Sequence, residues 1–89
     1  MRESQIEDYL HRRVKALGGD YRRMQYLGRR GATDDLILLP GRHLVVECKR
    51  PGEKPEPHQA REHGRLRWAA FEVHTVSTTD EIDKILPKP

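Results

Sequence analysis

Apolar residues recur along the chain with two different periods, and these periods predict three helices and four strands. Near the N-terminus, Ile6, Leu10, Val14 and Leu17 are spaced four, four and three residues apart, which places them on one face of a helix. We predict helices over residues 3–17 and 57–70, a short helix after Thr78, and strands over residues 21–27, 36–39, 44–48 and 71–76. The order helix, three strands, helix, strand, helix is typical of a mixed α/β layer.

The two central strands are joined by a Pro-Gly turn at residues 40–41, which sets their register. With this turn the numbers of facing residues sum to 81, so Asp34 faces Glu47. Lys49 returns to the side of the two acids, and Asp35 points to the other side. Both faces are apolar along most of their length. We therefore expect a sheet covered above and below, with these charges at the point where the cover ends.

This group of charges predicts a chemistry. Two opposed carboxylates repel each other, and a divalent cation between Asp34 and Glu47 would remove the conflict. Carboxylate oxygens are the ligands that Mg²⁺ and Mn²⁺ prefer, and a lysine beside them can stabilise charge that develops on a phosphate. The set predicts metal-assisted hydrolysis of a phosphodiester. The alternative is a structural ion-pair network with Lys49.

Length and composition limit what else the chain can be. Its 89 residues predict one domain over residues 1–89. The 17 basic residues outnumber the 14 acidic ones, and clustered arginines favour a polyanionic partner such as nucleic acid. A lone cysteine, Cys48, allows no intramolecular disulfide and is typical of a reducing cytoplasm. No apolar run approaches the roughly 18 residues of a membrane span, so we expect no membrane association.

These motifs resemble the PD-(D/E)XK nuclease signature. "GATD", which ends at Asp34, corresponds to its first half, and "ECK" from Glu47 to Lys49 corresponds to its second. More narrowly, the chain resembles the VRR-NUC domain in its small stand-alone bacterial or phage form. The blocks "ESQIEDYL", "LGRRGATDDLILLPG", "VVECKRPG" and "PHQAR" follow one another over nearly the whole chain. Thr33 stands where the family usually has proline, and threonine also favours extended backbone.

The resemblance implies a restriction-endonuclease-like α/β core in the order αβββαβα, with Mg²⁺ or Mn²⁺ as cofactor. It also implies a homodimer that cuts branched DNA, four-way junctions in particular. It assigns the metal to Asp34, Glu47 and the backbone carbonyl of Cys48, and a catalytic role to Lys49. Gln59 matches a glutamine of the family that lies on a helix near the active site.

One assignment remains open in this ligand set. The first helix of the fold offers a glutamate to the site, and Glu3 and Glu7 are one turn apart on the same face. The sequence does not decide between them. Of the doubled acids, the register and the motif spacing both select Asp34. We expect Asp35 to be structural and to pair with a nearby arginine.

Basic residues and one histidine around the signature are predicted to contact the DNA backbone. They are Arg29, Arg30, Arg50, Lys54, His58 and Arg61. Nothing in the sequence indicates base readout, so we expect recognition of shape through phosphates. Trp68 and Phe71 are expected to be core or dimer contacts. Two other functions fit the same pattern, a flap nuclease or exonuclease and a binding module without catalysis. The complete set of two acids and a lysine argues against the second.

Overall fold

The computed structural model describes residues 1–26 and 33–89, which form three helices and four strands. The elements are α1 Glu3–Ala16, β1 Asp20–Met24, β2 Asp34–Leu39, β3 Arg42–Cys48, α2 Pro57–Trp68, β4 Glu72–Val76 and α3 Thr79–Ile85. The strands form one sheet in the order β1-β2-β3-β4, antiparallel except for the parallel pair β3 and β4. The predicted order of elements, αβββαβα, is confirmed.

Several bounds differ from the predicted ones for local reasons. β1 ends at Met24, which pairs with Asp34, the first residue of β2. Residue 27, the predicted end of this strand, lies outside the described residues. α2 ends at Trp68, since Ala70 has a φ of +70°, which lies outside the right-handed helical region. β2 and β3 each begin two residues earlier than the apolar pattern indicated.

The register predicted for the β2–β3 hairpin is confirmed. Leu39 pairs with Arg42, and the pairs that follow continue with the same sum of residue numbers. Gly41, in the turn, has a φ of +71°, a conformation that glycine adopts without a steric penalty. The pair that follows the last ladder pair in this register is Asp34 and Glu47.

Helices cover the sheet on both faces, as the two-sided apolar pattern indicated. One face packs against α1 and α3 in the main core of the described residues. That core consists of Ile6, Leu10, Val14, Ile37, Leu44, Val46, Cys48, Val76, Ile82 and Leu86. The other face carries the buried Val45 and Val73 and is covered by α2. Because successive residues of a strand point to opposite faces, neighbouring side chains of β2 enter two different environments.

The start of α3 and the end of α2 can be compared with two further predictions. The Thr78 hydroxyl accepts a hydrogen bond from the backbone N–H of Glu81 at 3.1 Å, so the predicted cap of α3 is confirmed. At the end of α2, Trp68 is 89% exposed. Of the two predicted places for Trp68, the core is wrong, because α2 turns Gln59 and His63 toward the sheet and Trp68 away from it, and the dimer contact stays a prediction. Among the helices described, none has the length and apolar composition to cross a membrane.

Candidate active site

Two buried carboxylates meet at the open end of the β2–β3 hairpin. Asp34 begins β2, Glu47 precedes the last residue of β3, and neither is accessible to solvent. We call these two residues the carboxylate pair. One oxygen from each and one ring nitrogen of His63 all lie within 4.8 Å of one another. His63 belongs to α2, so the site is built from the hairpin and the helix that covers it.

Asp34 receives two contacts on one of its oxygens. The Tyr26 hydroxyl donates to Oδ2 at 2.7 Å, and His63 Nε2 lies 2.9 Å from the same atom. The bond to Asp34 raises the pKa of His63, which favours the charged ring that donates from Nε2. Oδ1 is buried and has no hydrogen-bond partner in the part of the chain that the structure describes. Asp34 is thus fixed in orientation, with one oxygen occupied and the other available.

Glu47 is buried without a hydrogen bond to either oxygen within the described residues. It forms an ion pair with Lys49, whose Nζ lies 3.6 Å from Oε2 of Glu47. Burial raises the pKa of Glu47, and the positive charge of Lys49 lowers it by a smaller amount. A buried carboxylate without hydrogen bonds is costly, and the positive charges of Lys49 and His63 do not offset the effect of burial on Glu47.

The carboxylate pair fits a divalent cation. It presents three buried oxygens without a hydrogen-bond partner among the described residues, Oδ1 of Asp34 and both oxygens of Glu47. Such hard donors suit Mg²⁺ and Mn²⁺. A cation here would satisfy these oxygens and remove the repulsion between the two acids. The structure brings the two residues together, and their role as ligands stays a prediction.

Lys49 is held beside the carboxylate pair by the sheet. Its backbone N–H donates to the carbonyl of Val76 in β4 at 2.9 Å, and its side chain is only 8% exposed. The ammonium group therefore stays close to Glu47. The predicted catalytic role of Lys49 is compatible with this position.

A second group of titratable residues lies on the opposite face of the sheet. Asp35 points toward α1, and its Oδ1 is 3.1 Å from His11 Nε2, an ion-pair distance without hydrogen-bond alignment. Glu7 completes this group, in which one ligand atom from each residue lies within 4.8 Å of the others. We call Glu7, His11 and Asp35 the helix cluster. The His11 ring stacks on Tyr21 with a centroid distance of 3.6 Å.

The helix cluster corrects the predicted use of the first helix. We expected Glu7 or Glu3 to join the carboxylate pair, but α1 covers the other face, so Glu7 reaches Asp35 instead. Arg23 pairs with Glu7 at 3.5 Å, whereas the ion-pair contact of Asp35 is to His11, not to an arginine as expected. Glu3 is half-buried one turn earlier and belongs to neither group.

Two further residues of the predicted site have structural roles in the fold. Gln59 is buried, and its Oε1 accepts from the backbone N–H of Glu56 at 3.2 Å, which caps the start of α2. It lies one turn before His63 and faces the sheet, and its catalytic role stays a prediction. The side chain of Cys48 belongs to the core on the α1 face. The metal-binding role of its backbone carbonyl also stays a prediction.

The predicted DNA contacts follow the carboxylate pair along the chain. The described ones are Arg50, Lys54, His58 and Arg61, all at the surface except the half-buried His58. The Nε atom of Arg50 donates to Glu53 at 2.6 Å, an exposed pair that contributes little to stability. Because such a pair is weak, a phosphate can replace the glutamate. Arg29 and Arg30 lie outside the described residues.

Sequence reasoning missed two residues that contact Asp34. His63 was not among the predicted site residues, yet it is buried at the site. Its spacing of four residues from Gln59 places both on one face of α2 and could have indicated it. Tyr26 falls in the strand predicted over residues 21–27, but β1 ends at Met24, so alternation along that strand did not indicate the direction of the Tyr26 side chain.

A mixed four-stranded sheet with two buried acids and a lysine at the end of its central hairpin defines a nuclease of the restriction-endonuclease-like class. A solved "VRR_NUC domain" is 37% identical, covers 96% of this chain and 95% of its own, and superimposes with a TM-score of 0.78. "Putative nuclease p44" of Acyrthosiphon pisum secondary endosymbiont phage 1 is 43% identical over 88 residues, 98% of this chain and 94% of that protein. No family model matches. The chain belongs to the VRR_NUC family of nucleases.

The helix cluster predicts a specific pH dependence of stability. Burial and the Asp35 carboxyl raise the pKa of Glu7 from 4.5 to about 7. Between these values the folded state holds a proton that the unfolded state has released, so stability falls as pH rises through this window. In EDTA, the parent should lose unfolding free energy between pH 5 and pH 8. Glu7→Gln should lose roughly 1–3 kcal/mol less than the parent over the same range. Urea unfolding at the two pH values measures this difference.

Glu3→Gln, one turn earlier on α1, is the matched control and should show the pH dependence of the parent protein. If Glu7→Gln loses as much stability between pH 5 and pH 8 as the parent does, Glu7 is not the buried acid that the geometry indicates.

Proposed function

We propose that this protein is a divalent-metal-dependent DNA endonuclease that cuts structured DNA, four-way junctions in particular, as a homodimer in the bacterial cytoplasm. The observation that carries the proposal is the carboxylate pair, buried next to Lys49 with three oxygens that have no hydrogen-bond partner in the described part of the chain. A site that only stabilises the fold gains nothing from two opposed acids left without hydrogen bonds.

The residues have distinct tasks in this proposal. The carboxylate pair, with the carbonyl of Cys48, would hold a Mg²⁺ or Mn²⁺ ion, which would supply polarisation of the scissile phosphate and a more acidic water. Tyr26 and His63 keep Asp34 in one orientation through Oδ2 and leave Oδ1 available as a ligand. Loss of a hydrogen bond that orients a metal ligand commonly lowers metal affinity 10- to 100-fold.

Lys49 acts on the substrate side of the site. Its ammonium group is largely shielded from solvent and is held 3.6 Å from Glu47. In such a place an ammonium stabilises negative charge on a phosphate more strongly than it does in water. Gln59, on the helix that covers the site, orients the phosphate or the attacking water. Arg50, Lys54 and Arg61 attract the DNA backbone without reading its sequence.

The homodimer and the branched substrate are supported by the family resemblance and by symmetry. Two symmetric cuts resolve a four-way junction, and a two-fold dimer supplies two equivalent sites.

The proposal predicts a cleavage pattern on a panel of substrates. Labelled four-way junction, flap and linear duplex are incubated with Mg²⁺, with Mn²⁺ or with EDTA. We expect paired, symmetric nicks in the junction with either metal and none in EDTA, and much slower cutting of duplex. Denaturing gels resolve the nicks, and sedimentation of the same samples measures the oligomeric state.

Each other outcome of this experiment has a definite meaning. If flaps or strand ends are cut and the junction stays intact, the protein is a flap nuclease or an exonuclease and not a junction-cutting enzyme. If no substrate is cut with either metal, or if cutting persists in EDTA, the metal-dependent nuclease is contradicted.

The doubled acid allows a matched pair of variants. Asp34→Asn should reduce cleavage by at least about 100-fold, because it removes a charge from the site that stabilises the reacting phosphate. Asp35→Asn changes the neighbouring residue in the same way but on the opposite face, and should retain most of the activity. Single-turnover cleavage rates of the two variants, with folding checked by thermal unfolding, make the comparison. The reverse ranking would assign the metal to the helix cluster.

A further inference from the structure

Two large apolar residues are exposed at the surface of the described chain, Met1 and Trp68, and Trp68 is the more exposed. It is the last residue of α2, and 89% of its surface is accessible. Tryptophan is on average a highly buried residue type. An indole at this position therefore contributes little to packing and is available to a partner.

Trp68 shares one face of α2 with two arginines. Arg61, Gly64, Arg65 and Trp68 are spaced three and four residues apart, and all four are exposed. We call these four residues the outer face of α2. At Gly64 the surface is open, because a Cβ atom there would meet no other atom within 4 Å. Because Gly64 carries no side chain, it presents no obstacle to a flat group that approaches the indole over this face.

The outer face lies on the same helix as the active site. His63, on the inner side of α2, contacts Asp34 of the carboxylate pair. An α-helix with its side chains is roughly 10–12 Å across. A strand that crosses the outer face of α2 therefore passes within about one helix diameter of the carboxylate pair.

The charge of this face selects the kind of partner. Arg61 forms no ion pair among the described residues, and Arg65 pairs with Glu62 at 2.8 Å in an exposed position. Arginines beside an open aromatic ring suit a nucleic acid, since phosphates bind the guanidinium groups and a base stacks on the ring. A second copy of the chain suits the face less well. A two-fold contact would place these arginines against themselves.

We propose that the outer face of α2 binds the DNA substrate, with Trp68 stacked on an unpaired base. The proposal rests on the proposed function, because it takes DNA as the ligand. In an intact duplex each base is covered by its neighbours, whereas a flap or an open branch point leaves a base face uncovered. The outer face therefore favours DNA with unpaired or unstacked bases over continuous duplex.

The chain offers a direct probe, because Trp68 is its one tryptophan. The full chain in EDTA is titrated with a flap substrate and with a blunt duplex of equal length, while tryptophan emission and the anisotropy of labelled DNA are recorded. We expect saturable quenching by the flap and little quenching by the duplex. Trp68→Ala should weaken flap binding by about 5- to 100-fold and duplex binding by less than about twofold.

Two variants serve as controls. Trp68→Phe keeps an aromatic ring and should retain most of the flap affinity. Arg61→Ala removes a phosphate contact and should weaken flap and duplex binding to a similar extent. Because Trp68 is exposed, its substitution should leave the thermal unfolding midpoint unchanged.

The proposal is overturned if the flap does not quench Trp68 and Trp68→Ala binds both DNAs as the parent does. It is also overturned if Trp68→Ala converts a dimer to a monomer in sedimentation and emission depends on protein concentration without DNA. The outer face is then a contact between copies. These measurements need no metal, so they stay readable even if every cleavage assay fails and the proposed function is wrong.

Discussion

The structure depends on keeping two like charges side by side where water cannot reach them. Asp34 and Glu47 face each other at the end of the hairpin, fully buried, and three of their four oxygens have no hydrogen-bond partner among the described residues. An uncompensated buried carboxylate costs several kcal/mol, on the order of the stability of a small domain. The fold tolerates this arrangement because the hairpin is held on both faces, by α1 and α3 on one and by α2 on the other. The cost is concentrated where a cation would relieve it.

The pleat of β2 divides the acidic residues between two environments. Asp34 points toward α2, where Tyr26 and His63 fix its orientation, and Asp35 points toward α1, where it meets Glu7 and His11. Burial lowers the pKa of His11 and raises that of Glu7. Both shifts favour neutral side chains in the helix cluster, whereas the hydrogen bond to Asp34 favours a charged His63. Two adjacent aspartates thus have different electrostatic roles.

Much of this arrangement could be predicted from the sequence, because turn chemistry and strand alternation are local. The Pro-Gly turn set the register, and the register placed Asp34 opposite Glu47 and turned Lys49 to the same side. The side of the sheet that α1 covers is a property of the whole chain, which is why the expected partner of Glu7 was wrong. His63 was missed because a histidine in a polar helix carries no sign of burial. Tyr26 was missed because its direction is set by an irregular segment.

The central claim is that the carboxylate pair is a divalent-cation site. The most direct test is a crystal soaked in Mn²⁺ and measured at a wavelength where manganese gives an anomalous signal. We predict an anomalous peak within bonding distance of Asp34 Oδ1 and a Glu47 oxygen, and its loss in a crystal of Asp34→Asn. A peak only among Glu7, His11 and Asp35, or no peak at either group, would contradict the account.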